Sequence, residues 1–313
     1  MGYSALEMHP CYAPQWESFQ LSPKMPKSSN RKIALIGFGE AGQAFVEGWG
    51  EAAPKVAAYD LRAADAALVD ASRRYAVELL GEAGPVLAGA QIAICLVTAD
   101  QALAAAEACA PYLSPGTAWF DGNSCSPGTK RKAAAVIEGA GGRYVDMAIM
   151  SPVRPKLNRT PALLAGPHAE RATELLDGLE MNTRVAGPDV GDASTIKMLR
   201  SVMIKGFEAL TAECLLAARR AGVEDDVVAS LQASDPGFDW RSRGAYNLER
   251  MTVHGTRRAA EMREVALTLR ELGLPDRMSS ATAEWEAQIG ALALRDGDGD
   301  LGQRLDALLG RFP

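Results

Sequence analysis

Short apolar runs alternate with stretches of helical spacing through the first part of the chain. Ile33–Ile36 lies between Arg31-Lys32 and Gly37. A run this short and continuously apolar predicts a strand buried on both faces, as in a parallel sheet. Val56–Tyr59, Ile92–Val97, Ala118–Phe120, Arg143–Asp146 and Ala162–Ala165 repeat the pattern. Gln43–Gly50, the alanine-rich Ala63–Leu80, Gln101–Ala110 and Pro127–Gly139 read as helices between them. Strands alternating with helices predict an α/β fold with a doubly wound parallel sheet.

The pattern changes after Gly187. From Asp192 to Gly222 no turn chemistry interrupts the chain, and Ile196, Leu199, Met203, Phe207, Leu210 and Cys214 recur at helical spacing. Asp192 suits an N-cap and Gly222 a C-terminal stop. Such a helix is about 45 Å long at its usual rise, which exceeds a small domain and predicts a bridge between domains or subunits. Val223–Leu231, Ala245–Arg250, Thr256–Leu272, Ala281–Ala293 and Leu301–Leu309 read as further helices. The predicted layout is an N-terminal extension (1–30), an α/β domain (31–190) and an all-helical C-terminal domain (191–313). The bridging helix leaves apolar surface for a second copy, so a homodimer is expected.

Composition narrows the choice of function. A length of 313 residues can bury a substantial core, and a 48% apolar, 23% charged content suits a globular chain. The net charge of −6 argues against a nucleic-acid partner. No apolar run approaches a membrane span, and residues 1–30 lack the pattern of a secretory signal. Five cysteines without a CxxC pair suggest reduced thiols in a cytoplasmic protein. Three scattered histidines make a metal site an unsuitable reading. Asp296-Gly-Asp-Gly-Asp300 lacks the glycine and glutamate of a calcium loop and reads as a turn between helices.

The strongest chemical signal is Gly37-Phe38-Gly39-Glu40-Ala41-Gly42, placed after a strand and at the head of a helix. Gly37 permits the tight turn, Gly39 the approach of a pyrophosphate, and Gly42 close packing of helix on strand. The diphosphate then rests on free N–H groups of the helix. Asp60 ends the next strand, where a carboxylate can accept from ribose hydroxyls and repel a 2′-phosphate. This favours NAD, while Arg62 keeps NADP open. Leu96, Val97, Thr98, Asn123 and Ser124 follow later strands and should line the same cleft. The turn and its setting predict a Rossmann-type domain.

Two further segments carry a resemblance. Asp121-Gly-Asn-Ser-Cys-Ser-Pro127 looks like an Asp-x-Ser-Thr-x-x-Pro motif, and Gly191-Asp-Ala-Ser-Thr-Ile-Lys197 like Gly-x-Gly-x-x-x-Lys. With the glycine turn they resemble the β-hydroxyacid dehydrogenases related to 6-phosphogluconate dehydrogenase. Within these the chain looks most like a divergent branch with a C-terminal domain of unknown function. The resemblance covers roughly residues 31–290 and implies that Lys197 is the catalytic lysine. From spacing alone Lys197 reads as a solvated helix residue. The substrate half departs from the family pattern. Ser201 stands where an asparagine is usual, preceded by Arg200. Met150, Ser151 and Pro152 replace a serine and two glycines, and Ala260-Glu261 a Lys-Asp pair.

The resemblance implies hydride exchange between a nicotinamide cofactor and a small hydroxy acid or related alcohol. Lys197 would serve as general acid and base if burial and neighbouring cations such as Arg200 lower its proton affinity. Ser201, one turn on, can position it or bond the reacting oxygen. Met150 and Ser151 would line the substrate loop. Arg154, Lys205 and the His254-Gly255-Thr256-Arg257-Arg258 segment, read as preceding a helix, are candidates for an anionic substrate. Each of these cations also suits an ordinary solvated surface. Cys125 lacks a neighbouring base and is not expected to be a nucleophile. Two other functions share the glycine turn. An imine reductase-like enzyme is disfavoured by the retained lysine. A non-catalytic dinucleotide-binding sensor or scaffold is suggested by the altered substrate loop.

Overall fold

Strand β1 (Lys32–Ile36) is buried throughout after its first residue, because both of its faces are covered. Ile33 and Leu35 join one core with Phe45 and Leu164, while Ala34 and Ile36 join the opposite one with Val86 and Trp119. The computed structural model describes residues 32–50, 55–294 and 299–312. The expected extension at 1–30, and Asp296–Asp298 of the expected turn, lie outside the described residues.

From β1 the chain continues through α1 (Glu40–Trp49), β2 (Lys55–Tyr59), α2 (Ala66–Arg74), β3 (Glu78–Leu80), α3 (Ala83–Leu87) and β4 (Ile92–Cys95). Then come α4 (Ala102–Cys109), β5 (Ala118–Asp121), α5 (Pro127–Gly139), β6 (Arg143–Ile149), β7 (Ala162–Ala165), α6 (Ala169–Asp177) and β8 (Thr183–Gly187). The eight strands form one sheet in the order β3-β2-β1-β4-β5-β6-β7-β8. All neighbours are parallel except β6 and β7, which are antiparallel. The strand order reverses between β1 and β4, and the crevice at their carboxyl ends is where such sheets take a dinucleotide.

The remaining elements are helical: α7 (Asp192–Ala221), α8 (Glu224–Ser234), α9 (Trp240–Glu271), α10 (Arg277–Ala291) and α11 (Leu301–Leu309). Leu215, Leu248, Met251, Ile289 and Leu305 make their shared core. Among the described residues no helix is long and apolar enough to cross a membrane, and no His/Cys/Asp/Glu group suits a metal.

Several elements differ from expectation. Ala63–Leu80 is not one helix. Asp65 caps Ala67 N–H to start α2, Ala76 takes a left-handed φ of 52°, and the chain then adds β3 to the edge of the sheet. The short β8, α3 and α6 carry too little apolar periodicity to stand out. Asp192 is not the cap of α7, which begins after a left-handed Gly191; Gly222 ends it in the left-handed form as expected. The two helices expected on either side of Val253–Gly255 are one, α9. Gly255 lies in its middle, where a Cβ would come within 2.4 Å of Glu286 O and 2.9 Å of Gly290. The bare glycine backbones let α9 and α10 cross closely, and that contact outweighs glycine's poor helix propensity.

Candidate active site

The glycine turn has the geometry its sequence demands. Gly37 has φ 94°, and a Cβ there would meet Leu96 O at 2.7 Å, so the turns after β1 and β4 touch. A Cβ at Gly42 would meet Gly37 O at 2.9 Å, whereas a Cβ at Gly39 would meet nothing within 4 Å. No side chain caps the start of α1. The free N–H groups of its first turn therefore face open space beside Gly39, a fit for a diphosphate. Asp60 Oδ2 accepts from Phe38 N–H at 2.9 Å, and Oδ1 from Arg62 N–H at 2.9 Å. The carboxylate thus shapes the turn as well as facing the crevice. The Phe38 side chain is fully buried in the core, so only its backbone is near the crevice. Glu40, Arg62 and Thr98 are exposed, and Ala41, Leu96 and Val97 are half-buried.

Asn123 is buried and gives both its backbone N–H and its side-chain N–H to Asp121 Oδ1, at 3.0 and 2.7 Å. Its own Oδ1 is buried with no partner, an orphan acceptor beside the half-buried Ser124. Buried acceptors are seldom left unpaired. The open Gly39 cradle and this acceptor are both consistent with a bound dinucleotide.

A buried polar network holds the two motif segments together. Lys130 Nζ lies 3.0 Å from Asp121 Oδ1 and 3.3 Å from Asp146 Oδ1. Burial opposes its charge, but the two carboxylates raise its proton affinity above the ordinary lysine value. Tyr144 donates to Asp121 Oδ2 at 2.7 Å. Asp146 Oδ2 accepts from Gly191 N–H, Ser194 N–H and Ser194 Oγ at 3.2, 3.0 and 3.0 Å. A carboxylate on the sheet therefore satisfies the orphan donors and positive end of α7. Glu264 on α9 accepts from Ser126 N–H and Thr129 Oγ1, and Glu271 from Gly128 N–H, so α9 caps α5.

Lys197 stands less than two turns into α7 and is half-buried. Among the described residues no hydrogen bond or ion pair engages its ammonium. Burial pushes its pKa down to about 8; Glu261 opposes that fall, and Lys205 and Lys130 add to it. The expected influence of Arg200 gives way to these two lysines, since Arg200 points to the exposed side. Ser201 is buried and donates to Lys197 O at 2.9 Å, so its proton is committed to the helix backbone. Lys205 is neither surface-exposed nor available: it is buried, 2.7 Å from Glu261 Oε2. Glu261 Oε1 accepts from Arg257 at 2.7 Å. Burial alone would raise the Glu261 pKa, yet Lys205, Arg257 and Lys197 hold it well below the carboxylate range.

Other candidates fall elsewhere. Arg154 is held on α1 by both oxygens of Glu47, at 3.2 and 2.6 Å, so its guanidinium fork is already filled. Met150 packs against a small cluster containing Ala193 at the start of α7, and Ser151 Oγ reaches only Pro152 O at 3.4 Å. His254 lies within α9, not before a helix. With Thr98, Asp100, Arg257, Arg263 and Gly290 it lines a cleft of about 530 Å³ between α9 and the segment after β4. Burial, then Arg250 and Arg257, lower its pKa, while Glu40 on the glycine turn counteracts them. Arg258 is not a cleft residue but is buried against Glu208 and Glu286. The Cys125 thiol is buried, donates to Ala99 O, and is pushed far up by burial, as expected of an inert thiol. Lys130, Asp146, Glu264 and Arg263 carried no local sign of their placement.

Comparison with known proteins agrees with this geometry. Residues 32–186 match the NAD binding domain of 6-phosphogluconate dehydrogenase, and residues 218–289 a domain of unknown function, DUF1932. A conserved hypothetical protein from Sinorhizobium meliloti 1021 is 38% identical, with 91% of this chain and 98% of that one covered and a TM-score of 0.67. A conserved protein of unknown function, MTH1747, described as structurally similar to 3-hydroxyacid dehydrogenases, is 32% identical. The match covers 83% of this chain and 97% of that one, with a TM-score of 0.62. The fold is shared with 3-hydroxyisobutyrate dehydrogenase from Salmonella typhimurium, at 18% identity, 90% and 100% coverage and a TM-score of 0.67. The fold and crevice define an NAD(P)-binding protein of the oxidoreductase type. The chain belongs to the 6-phosphogluconate dehydrogenase-like family of 3-hydroxyacid dehydrogenase relatives, with a DUF1932 C-terminal region.

Proposed function

We propose that this chain is an NAD(P)-dependent dehydrogenase that acts on a small anionic hydroxy acid or related alcohol, with Lys197 as general acid and base. The reading rests above all on Lys197, a half-buried lysine with no partner among the described residues and a pKa of about 8. A structural lysine would be paired or fully solvated. A proton-transfer group needs a proton affinity near the working pH. The dinucleotide, when bound, supplies hydride acceptance in the oxidising direction and hydride donation in the reducing one.

In oxidation the neutral Lys197 amine takes the proton of the substrate hydroxyl; in reduction its ammonium returns a proton to the forming alkoxide. Ser201 fixes the lysine's own turn of helix through the Lys197 carbonyl. Gly37, Gly39 and Gly42 shape the diphosphate cradle, and Asp60 faces the ribose, which favours NAD. His254, Arg257 and Arg263 give the cleft by α9 a cationic wall suited to a substrate carboxylate or phosphate. The buried or unpaired thiols of Cys95, Cys109, Cys125 and Cys214 suit a reducing compartment. The exposed apolar stripe of α7 is the face we assign to a second copy of the chain.

The test is a screen of hydroxy acids, sugar acids and aromatic alcohols with both cofactors, followed by Lys197→Ala. The variant should lose about 10²–10⁴-fold in turnover and keep its dinucleotide affinity. The wild-type oxidation rate should rise through about pH 8 as the amine forms, and the reduction rate should fall over the same range. Near-normal turnover by the variant would remove Lys197 from the chemistry. Dinucleotide binding without turnover across the panel would favour a sensor instead.

A further inference from the structure

Lys205 and Glu261 form an ion pair almost without solvent contact, their side chains 7% and 10% exposed. Such a pair is a poor source of stability, because desolvating two charges offsets most of their attraction. Its placement points to another use. Lys197, Ser201 and Lys205 fall within roughly 80° of one another around α7, at about 100° per residue. Met198 and Met262 share one buried cluster at the seam of α7 and α9, which brings their neighbours Lys197 and Glu261 together. The groups that face Lys197 are Glu261 from α9, Lys205 from its own helix, and Lys130 and Cys125 from α5 and the segment before it. Glu261 faces Lys205, Arg257 and Lys197; Lys205 faces Glu261, Arg258 and Glu286.

We propose that Lys205 and Glu261 are positioning residues that set the balance between ammonium and amine at Lys197, resting on the reading of Lys197 as the acid–base group. Glu261 draws the proton onto Lys197 and Lys205 drives it off. The lysine is thereby held where it can both take and give a proton. Arg257 on the second Glu261 oxygen keeps that carboxylate charged. It also extends the pair to the wall of the cleft, so an anion bound at Arg257 would be felt at Lys197.

The full chain is pulse-labelled with acetic anhydride from neutral to alkaline pH, and acetylation of Lys197 is followed by peptide mass spectrometry. Glu261→Gln should lower the labelling midpoint and Lys205→Met raise it, each by about one pH unit. Lys205→Arg should leave it in place, and the double variant Glu261→Gln/Lys205→Met should return toward wild type. A purely structural pair would move both single variants the same way or not at all, and either result overturns the proposal. If Lys205→Met does not fold, Glu261→Gln against Lys205→Arg carries the same decision. The pH–rate profiles of the variants should shift in step. Labelling that shifts while the profiles stay fixed upholds the tuning and rejects Lys197 as the acid–base group.

Discussion

Lys130 has no exposed side chain, yet it stays charged because Asp121 and Asp146 close on it from two strands. Removing one partner of a buried pair leaves the other charges uncompensated. Lys130→Met should therefore destabilise the fold by about 3–5 kcal/mol, read as a fall in the urea midpoint at unchanged slope. A loss below about 1 kcal/mol would mean that solvent reaches the two carboxylates after all. Residues like this were not legible in the sequence. Lys130 sits in a helix of ordinary composition, and its partners are distant strand residues that only the folded sheet delivers. Glu261 was visible only as a departure from a familiar Lys-Asp pair. The glycines were legible because each does a local steric task, and Gly37, Gly39 and Gly42 perform the tasks expected. Arg154 misled for the converse reason, since nothing in its own loop announces Glu47.

The elements best read in advance were those with strong local signals. Pro127–Gly139 has a serine cap and a proline at its start, and Leu301–Leu309 opens with an Asp300/Gln303 capping box. Their boundaries agree with expectation. Edge elements such as β3 and β8 depend on pairing that periodicity does not reveal. The case of α9 is instructive, because Gly255 reads as an interruption and acts as a contact. At Gly290 a Cβ would sit 2.5 Å from Thr256 N, a backbone atom that cannot rotate away. Gly290→Ala should force α9 and α10 apart, cost about 1–3 kcal/mol of stability, and reshape the cleft that Gly290 and His254 share. Thermal unfolding and a fluorescence titration with dinucleotide check both effects. An unchanged melting temperature would show that the crossing has slack.

For the molecule as a whole, the order of strand and helix signals was enough to anticipate a doubly wound sheet followed by helices. It was not enough to join the two halves, since the contacts of Asp146, Glu264 and Glu271 run between distant segments. The long α7 also carries an assembly prediction. Ile196, Leu199, Met203 and Leu210 are 41%, 39%, 73% and 52% exposed. They fall within roughly 60° around the helix, opposite the buried lysines. A stripe of that kind is expected to pair with its copy. Light scattering at micromolar concentration should give twice the chain mass, and Met203→Glu with Leu210→Glu should halve it. A monomeric wild type would reject the pairing.

The grip of Asp146 on Gly191 and Ser194 makes the first turn of α7 a fulcrum. Lys197 is only about 8 Å along the helix from that point, and the far end is about 45 Å away. A tilt of about 10° would carry the far end through roughly 8 Å but Lys197 through little more than 1 Å, at the usual helical rise. The lever thus separates two demands on one helix. Its outer arm is free to swing with partners or the closing cleft, while the proton-transfer end keeps its aim.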